Sequence, residues 1–183
     1  IVYCFPAGLS AEGYTLPNTV RFIENGAFYG FTGTKLILPE GLETIGDSAF
    51  YESALTELAI PASVTFIGDS AFCKSAALKT VTYARNAKLN SIGKNAFASC
   101  GALEYAILPD GVEDIGAGAF EHCTKLAEVL LPAALTEIPD TAFRNCSSLS
   151  KVTIQQNITA IGASAFEGSA IESIEIPASV TAI

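Results

Sequence analysis

The side chains of this 183-residue chain best suited to chemistry are its five cysteines and its single histidine. Cys100, Cys123 and Cys146 follow one another at steps of 23 residues, which places them in one column of a repeating unit. Ser53, Ser75 and Ser169 hold the same slot in other units. Side chains in register point the same way, whereas a disulfide needs Cβ atoms about 3.8 Å apart and a twisted S–S torsion. The column therefore reads as small, buried, free thiols. Cys4 and Cys73 lie in other columns, no pairing for them follows from the sequence, and an odd count leaves at least one thiol free. Zinc is disfavoured, because there is no C-x-x-C pair and His122 is merely the sequence neighbour of Cys123. A Ser-His-Asp or Cys-His centre would need that same histidine. No glycine-rich phosphate loop and no calcium loop is present. The carboxylates are spread along the chain, as on a solvated surface. No catalytic residue, cofactor or metal ligand is assigned, and the chain is not expected to be an enzyme.

The elements that would position these side chains repeat plainly. Ala-Phe occurs seven times, ending at Phe28, Phe50, Phe72, Phe97, Phe120, Phe143 and Phe166, at steps of 22, 22, 25, 23, 23 and 23 residues. An isoleucine precedes each Phe by five residues, from Ile23 to Ile161, and Ile183 opens a further unit. A second block, Leu-x-x-apolar-x-apolar-Pro, follows each Phe: residues 55–61 read LTELAIP and residues 126–132 read LAEVLLP. The spacing predicts about eight units of 22–25 residues forming one solenoid domain over 1–183, with 1–15 a degenerate first copy. The last unit is cut at Ile183 and there is no initiator Met, so a piece of a longer protein is expected, and missing targeting signals carry no information.

Leu58 and Ile60 alternate with Glu57 and Ala59, the period of a half-buried strand. Successive strands at this spacing run parallel, about 4.8 Å apart, and eight of them make a curved rod on the order of 40 Å long. Proline ends most of these strands, where its missing N–H costs the ladder nothing. The Ile-Gly-x-x-Ala-Phe segment is expected as a tight turn or short helical piece on the opposite side. Glu24 and Pro139 share the glycine slot, and proline cannot take a positive φ, so the glycine is expected to serve tight turning at ordinary φ. The Phe column is expected to form the stacked spine of the core.

Composition agrees with a folded, non-spanning chain. Half the residues are apolar and no run of 18 is uninterruptedly so. A formal net charge of -9 argues against nucleic acid or an anionic membrane surface as partner.

Residues 108–123, LPDGVEDIGAGAFEHC, resemble the BspA-like leucine-rich repeats, and the resemblance runs through nearly the whole chain. It departs at residues 83–92, YARNAKLNSI, with two extra residues and no proline, and at residues 1–15. The resemblance implies an α/β solenoid: a right-handed superhelix with a parallel sheet on its concave face and turns or helical pieces on the convex side. It also implies a bacterial secreted or cell-surface setting, adhesion to host matrix proteins or to other cells, and no catalytic residues; the partner expected for this chain is an extracellular protein or glycan.

On the concave face the two outward columns read Lys35, Glu57, Thr80, Tyr105, Glu128, Lys151, Ser173 and Ile37, Ala59, Thr82, Ile107, Leu130, Thr153, Glu175. Tyr105, Ile107 and Leu130 should form an exposed apolar cluster, with Glu128, Lys151 and Thr82 beside it, which makes these six the candidate binding residues. The extra residues put Arg85 and Lys88 on a rim loop next to the same coils, a second candidate element. Ordinary apolar and β-branched preference on an exposed sheet face would place similar residues there. The alternative to a binding module is a structural spacer that projects other parts of a larger surface protein.

Overall fold

The computed structural model describes residues 13–183. Each coil contributes two short strands. One series follows the Leu-x-x-apolar block: β1 (Tyr14–Thr15), β3 (Leu36–Ile37), β5 (Glu57–Ile60), β7 (Thr80–Tyr83), β9 (Tyr105–Ile107), β11 (Glu128–Leu130) and β13 (Lys151–Thr153). The other ends on the recurring isoleucine: β2 (Phe22–Ile23), β4 (Thr44–Ile45), β6 (Phe66–Ile67), β8 (Ser91–Ile92), β10 (Asp114–Ile115), β12 (Glu137–Ile138) and β14 (Ala160–Ile161). All pairing is parallel, coil to coil. The second series is a finding of the structure, for strands of two residues offer no alternation in the sequence. The degenerate first copy, with Cys4 and Phe5, falls largely outside the described residues, and of it only residues 13–15 are seen.

The core is a set of columns. Phe28, Phe50, Phe72, Phe97, Phe120 and Phe143 are fully buried, and each ring stacks nearly parallel on the next at 5.0–5.5 Å. Phe166 continues the stack at 5.6 Å but is only half-buried. Burying each ring contributes roughly 1.5–3 kcal/mol, and its stacking adds to that.

The expected α/β class gives way to an all-strand and turn architecture, for no described residue is helical. The reason lies in the backbone around each Phe. The residues two before and two after it have positive φ: Ser48 and Glu52 flank Phe50 at 52° and 56°, and Thr141 and Asn145 flank Phe143 at 55° and 59°. Left-handed residues cannot continue a right-handed helix, and they turn their N–H groups along the rod. Ser48, Phe50 and Glu52 thus donate to Asp69, Ala71 and Cys73 of the next coil at 2.8, 2.6 and 2.9 Å. The groups that would close a helix instead tie coil to coil, and the orphaned-donor problem is solved along the rod axis.

The glycine after each isoleucine does have ordinary φ. Its requirement is space: a Cβ on Gly68 would lie 2.6 Å from the backbone N of Asp47. These glycines also donate backward, Gly68 to Ile45 and Gly116 to Ile92, each at 2.8 Å. Pro139 has no N–H to offer Ile115, and here the second series divides into β2–β4–β6–β8–β10 and β12–β14.

The first series is also interrupted, contrary to the expected continuous ladder. It forms β1–β3, β5–β7 and β9–β11–β13. The break after β7 coincides with the coil that carries two extra residues and with Tyr83, a larger side chain than Ile60, its partner in register. Residues 171–177, expected as a further strand, form none.

Candidate functional site: the outward face of the first strand series

In β9 and β11 alternate residues point out. Glu128 lies beside Tyr105 and Leu130 beside Ile107 in register, and on the other side Glu128 lies beside Lys151. The inward partners, Ala106 and Val129, are buried and lock this register. Tyr105, Ile107 and Leu130 are 51%, 60% and 37% exposed. The sequence-derived cluster is therefore brought together on one rigid face, with no described side chain covering it.

Glu128 and Lys151 close on each other at 2.5 Å. Such an exposed pair contributes at most about 1 kcal/mol, so it borders the apolar cluster with two largely self-neutralised charges. Thr82 is exposed in register with Ala59, across the interrupted seam from Ile107. Thr82 and Ile107 form opposite sides of an open groove of about 550 Å³, with Ala87, Pro109 and Asp110 completing its wall. Arg85 and Lys88 are exposed on the loop beside it but do not line it. Neither makes an ion pair with a described residue. A second groove of about 420 Å³ lies over Ala59, between Ile37 and Thr82. Tyr83 reaches both grooves, and burial pushes its phenol above the usual range. The sequence signal for it is a tyrosine in a column otherwise of leucine and isoleucine.

The thiol column is as expected. Cys100, Cys123 and Cys146 are free and fully buried. Each Sγ donates to the carbonyl of a Phe in the preceding coil, Phe72, Phe97 and Phe120, at 3.1 Å. Ser75 does the same to Phe50 at 2.8 Å, so the slot calls for a small donor and serine or cysteine both supply it. Burial raises all three thiols, Cys146 to about 12, which removes their nucleophilicity near neutral pH. Cys73 is free and half-buried. His122 is half-exposed and 3.6 Å from Glu121, pointing to solvent while Cys123 beside it points inward. Among the described residues no three His, Cys, Asp or Glu side chains are grouped to hold a metal ion. Nor is there among them a helix long and apolar enough to cross a membrane.

The family model for the BspA type leucine rich repeat region matches residues 2–126 and 85–183, in six copies. The chain belongs to the BspA-type leucine-rich repeat family. Among solved structures, this BspA-type chain is similar to a leucine-rich repeat protein of Eubacterium ventriosum, at 34% identity and a TM-score of 0.87, over 94% of this chain and 46% of that one. It is similar to a leucine rich cell surface protein of Faecalibacterium prausnitzii, at 35% identity and a TM-score of 0.75, over 94% and 43%. The leucine rich repeat protein of T. pallidum gives 30% identity and a TM-score of 0.80 over 87% and 77%. The chain thus spans under half the length of the first two of these relatives. A search of curated proteins finds no match.

Proposed function

We propose that this BspA-type repeat chain is a non-catalytic extracellular binding module, part of an adhesin-type surface protein, that holds a protein or glycan on the outward strand face. The observation that carries the reading is the register-locked cluster of Tyr105, Ile107 and Leu130, the last two adjacent across one ladder step and all three open to solvent. Large exposed side chains cost a soluble protein solubility, and their grouping on a rigid scaffold is what interaction sites have in common. Glu128, Lys151 and Thr82 form the polar surround, and Arg85 and Lys88 on the adjoining loop supply unpaired positive charge at its rim. The strand face is taken as the concave side of a right-handed superhelix. A secreted or cell-surface location accords with the cell surface protein of F. prausnitzii to which the chain is similar.

The test is a binding screen against extracellular-matrix proteins and a glycan panel, repeated with Tyr105→Ala and Leu130→Arg. The reading expects affinity for at least one class, lost in both variants while the unfolding midpoint is kept. A spacer role expects no affinity from the parent chain.

A further inference from the structure

On the second strand series, away from the face just described, Phe22 and Phe66 stand in register on either side of Thr44. Both phenylalanines are 38% exposed, whereas the isoleucine after each is buried. The short Thr44 between them leaves an open groove of about 400 Å³ walled by the two rings. Glu24, Asn25 and Asp47 complete its lining, together with backbone of the Ile-Gly turn. The carboxylate of Asp47 is held in place, accepting from the Asp69 N–H at 2.9 Å and from Asn25 Nδ2 at 3.3 Å. Among the described residues no cationic side chain lines the groove. Arg21, next to Phe22 in sequence, instead lays its guanidinium against Gly41.

From this geometry we propose that the slot between Phe22 and Phe66 binds an organic ammonium cation, of the quaternary or alkylated-amine class. The spacing suits it. Two ladder steps of about 4.8 Å separate the rings by roughly 10 Å, so a group midway lies about 5 Å from each. A cation is attracted to an aromatic face within about 6 Å of its centroid. A single coil step would leave no room for it, and three would take it out of reach of one wall. The charge is complementary as well: two carboxylates and two aromatic rings line a space to which no described residue brings a positive side chain. An alkylated ammonium fits better than an inorganic ion, because its methyl groups fill apolar walls while its charge is spread and weakly hydrated.

The experiment titrates the chain with tetramethylammonium and, separately, with the neutral analogue tert-butanol at constant ionic strength, following the Phe and Thr44 resonances by NMR. The expected result is saturable tetramethylammonium binding, with shifts confined to the coils of Phe22, Thr44 and Phe66, at least tenfold tighter than tert-butanol. Thr44→Phe, which fills the slot with a third stacked ring, is expected to weaken binding at least tenfold, and Glu24→Gln about threefold. Phe66→Ala serves the same purpose if Thr44→Phe does not fold. Equal affinity for tert-butanol, absence of saturable binding, or unchanged affinity in Thr44→Phe or Phe66→Ala would each overturn the proposal.

Discussion

The rings of Phe120 and Phe143 lie 5.5 Å apart and within 9° of parallel, although 23 residues separate them in the chain. Each such contact joins one coil to the next, so the stack is the element through which neighbouring coils stabilise each other. Removing a ring from its middle leaves a cavity bounded by two rings that the rest of the coil holds apart. Phe120→Ala is expected to cost about 3–5 kcal/mol. Urea denaturation followed by circular dichroism measures it, and a midpoint equal to that of the parent would contradict the stack's role.

The buried thiols give the protein an alkaline limit. Cys100, Cys123 and Cys146 are raised by burial, so the folded chain keeps protons that the unfolded chain releases above about pH 8.5. Their contribution is fully present below that pH and is lost as pH rises toward the folded-state values, near 12 for Cys146. Each thiol then adds about 1.4 kcal/mol of destabilisation per pH unit within that window. Replacing all three by serine, the residue of the Ser53 and Ser75 slots, is expected to keep the carbonyl bonds and flatten this slope. Denaturation at pH 7.5 and pH 10 compares the two proteins, and equal slopes would show that the thiols are not linked to folding.

Two residues in one column should respond to very different degrees to the same replacement. Gly68→Ala puts a Cβ 2.6 Å from backbone and should cost about 2–3 kcal/mol. Pro139→Ala, where the ladder is already divided and a Cβ is already accommodated, should cost under about 1 kcal/mol. Thermal unfolding of the two variants tests whether close approach, rather than φ, fixes the glycine.

The Glu128–Lys151 pair is predicted to matter little to stability. A double-mutant cycle through Glu128→Ala and Lys151→Ala should give a coupling below about 1 kcal/mol that shrinks with added salt. A large, salt-independent coupling would mean that the pair is shielded from solvent and that the face is covered.

Much of this was legible in the sequence because a solenoid writes its core into fixed offsets. Phe50 and Phe72 had to stack once their coils were in register, and Leu58 against Glu57 gave the inward and outward sides of the strand. The second strand series was less legible, since two-residue strands such as Thr44–Ile45 offer no alternation to read. The left-handed turns were hidden because Ser48, Glu52 and His122 adopt them without glycine. What sustains that conformation is the bond to the next coil, a contact between repeats rather than a local preference. The interrupted seam beside Tyr83 depends likewise on the size of neighbours in adjacent coils. The cluster of Tyr105, Ile107 and Leu130 could be placed from the sequence, whereas the grooves on either side of β7 could not.

The most direct test of the proposed function is the ratio of dissociation constants for the parent and Leu130→Arg against whichever matrix protein or glycan the parent binds. A charged side chain beside Ile107 cannot be buried in an interface without a partner of its own. The account predicts at least a tenfold loss with an unchanged unfolding midpoint. Equal affinities would place the binding site elsewhere on the solenoid and contradict the assignment of the outward strand face.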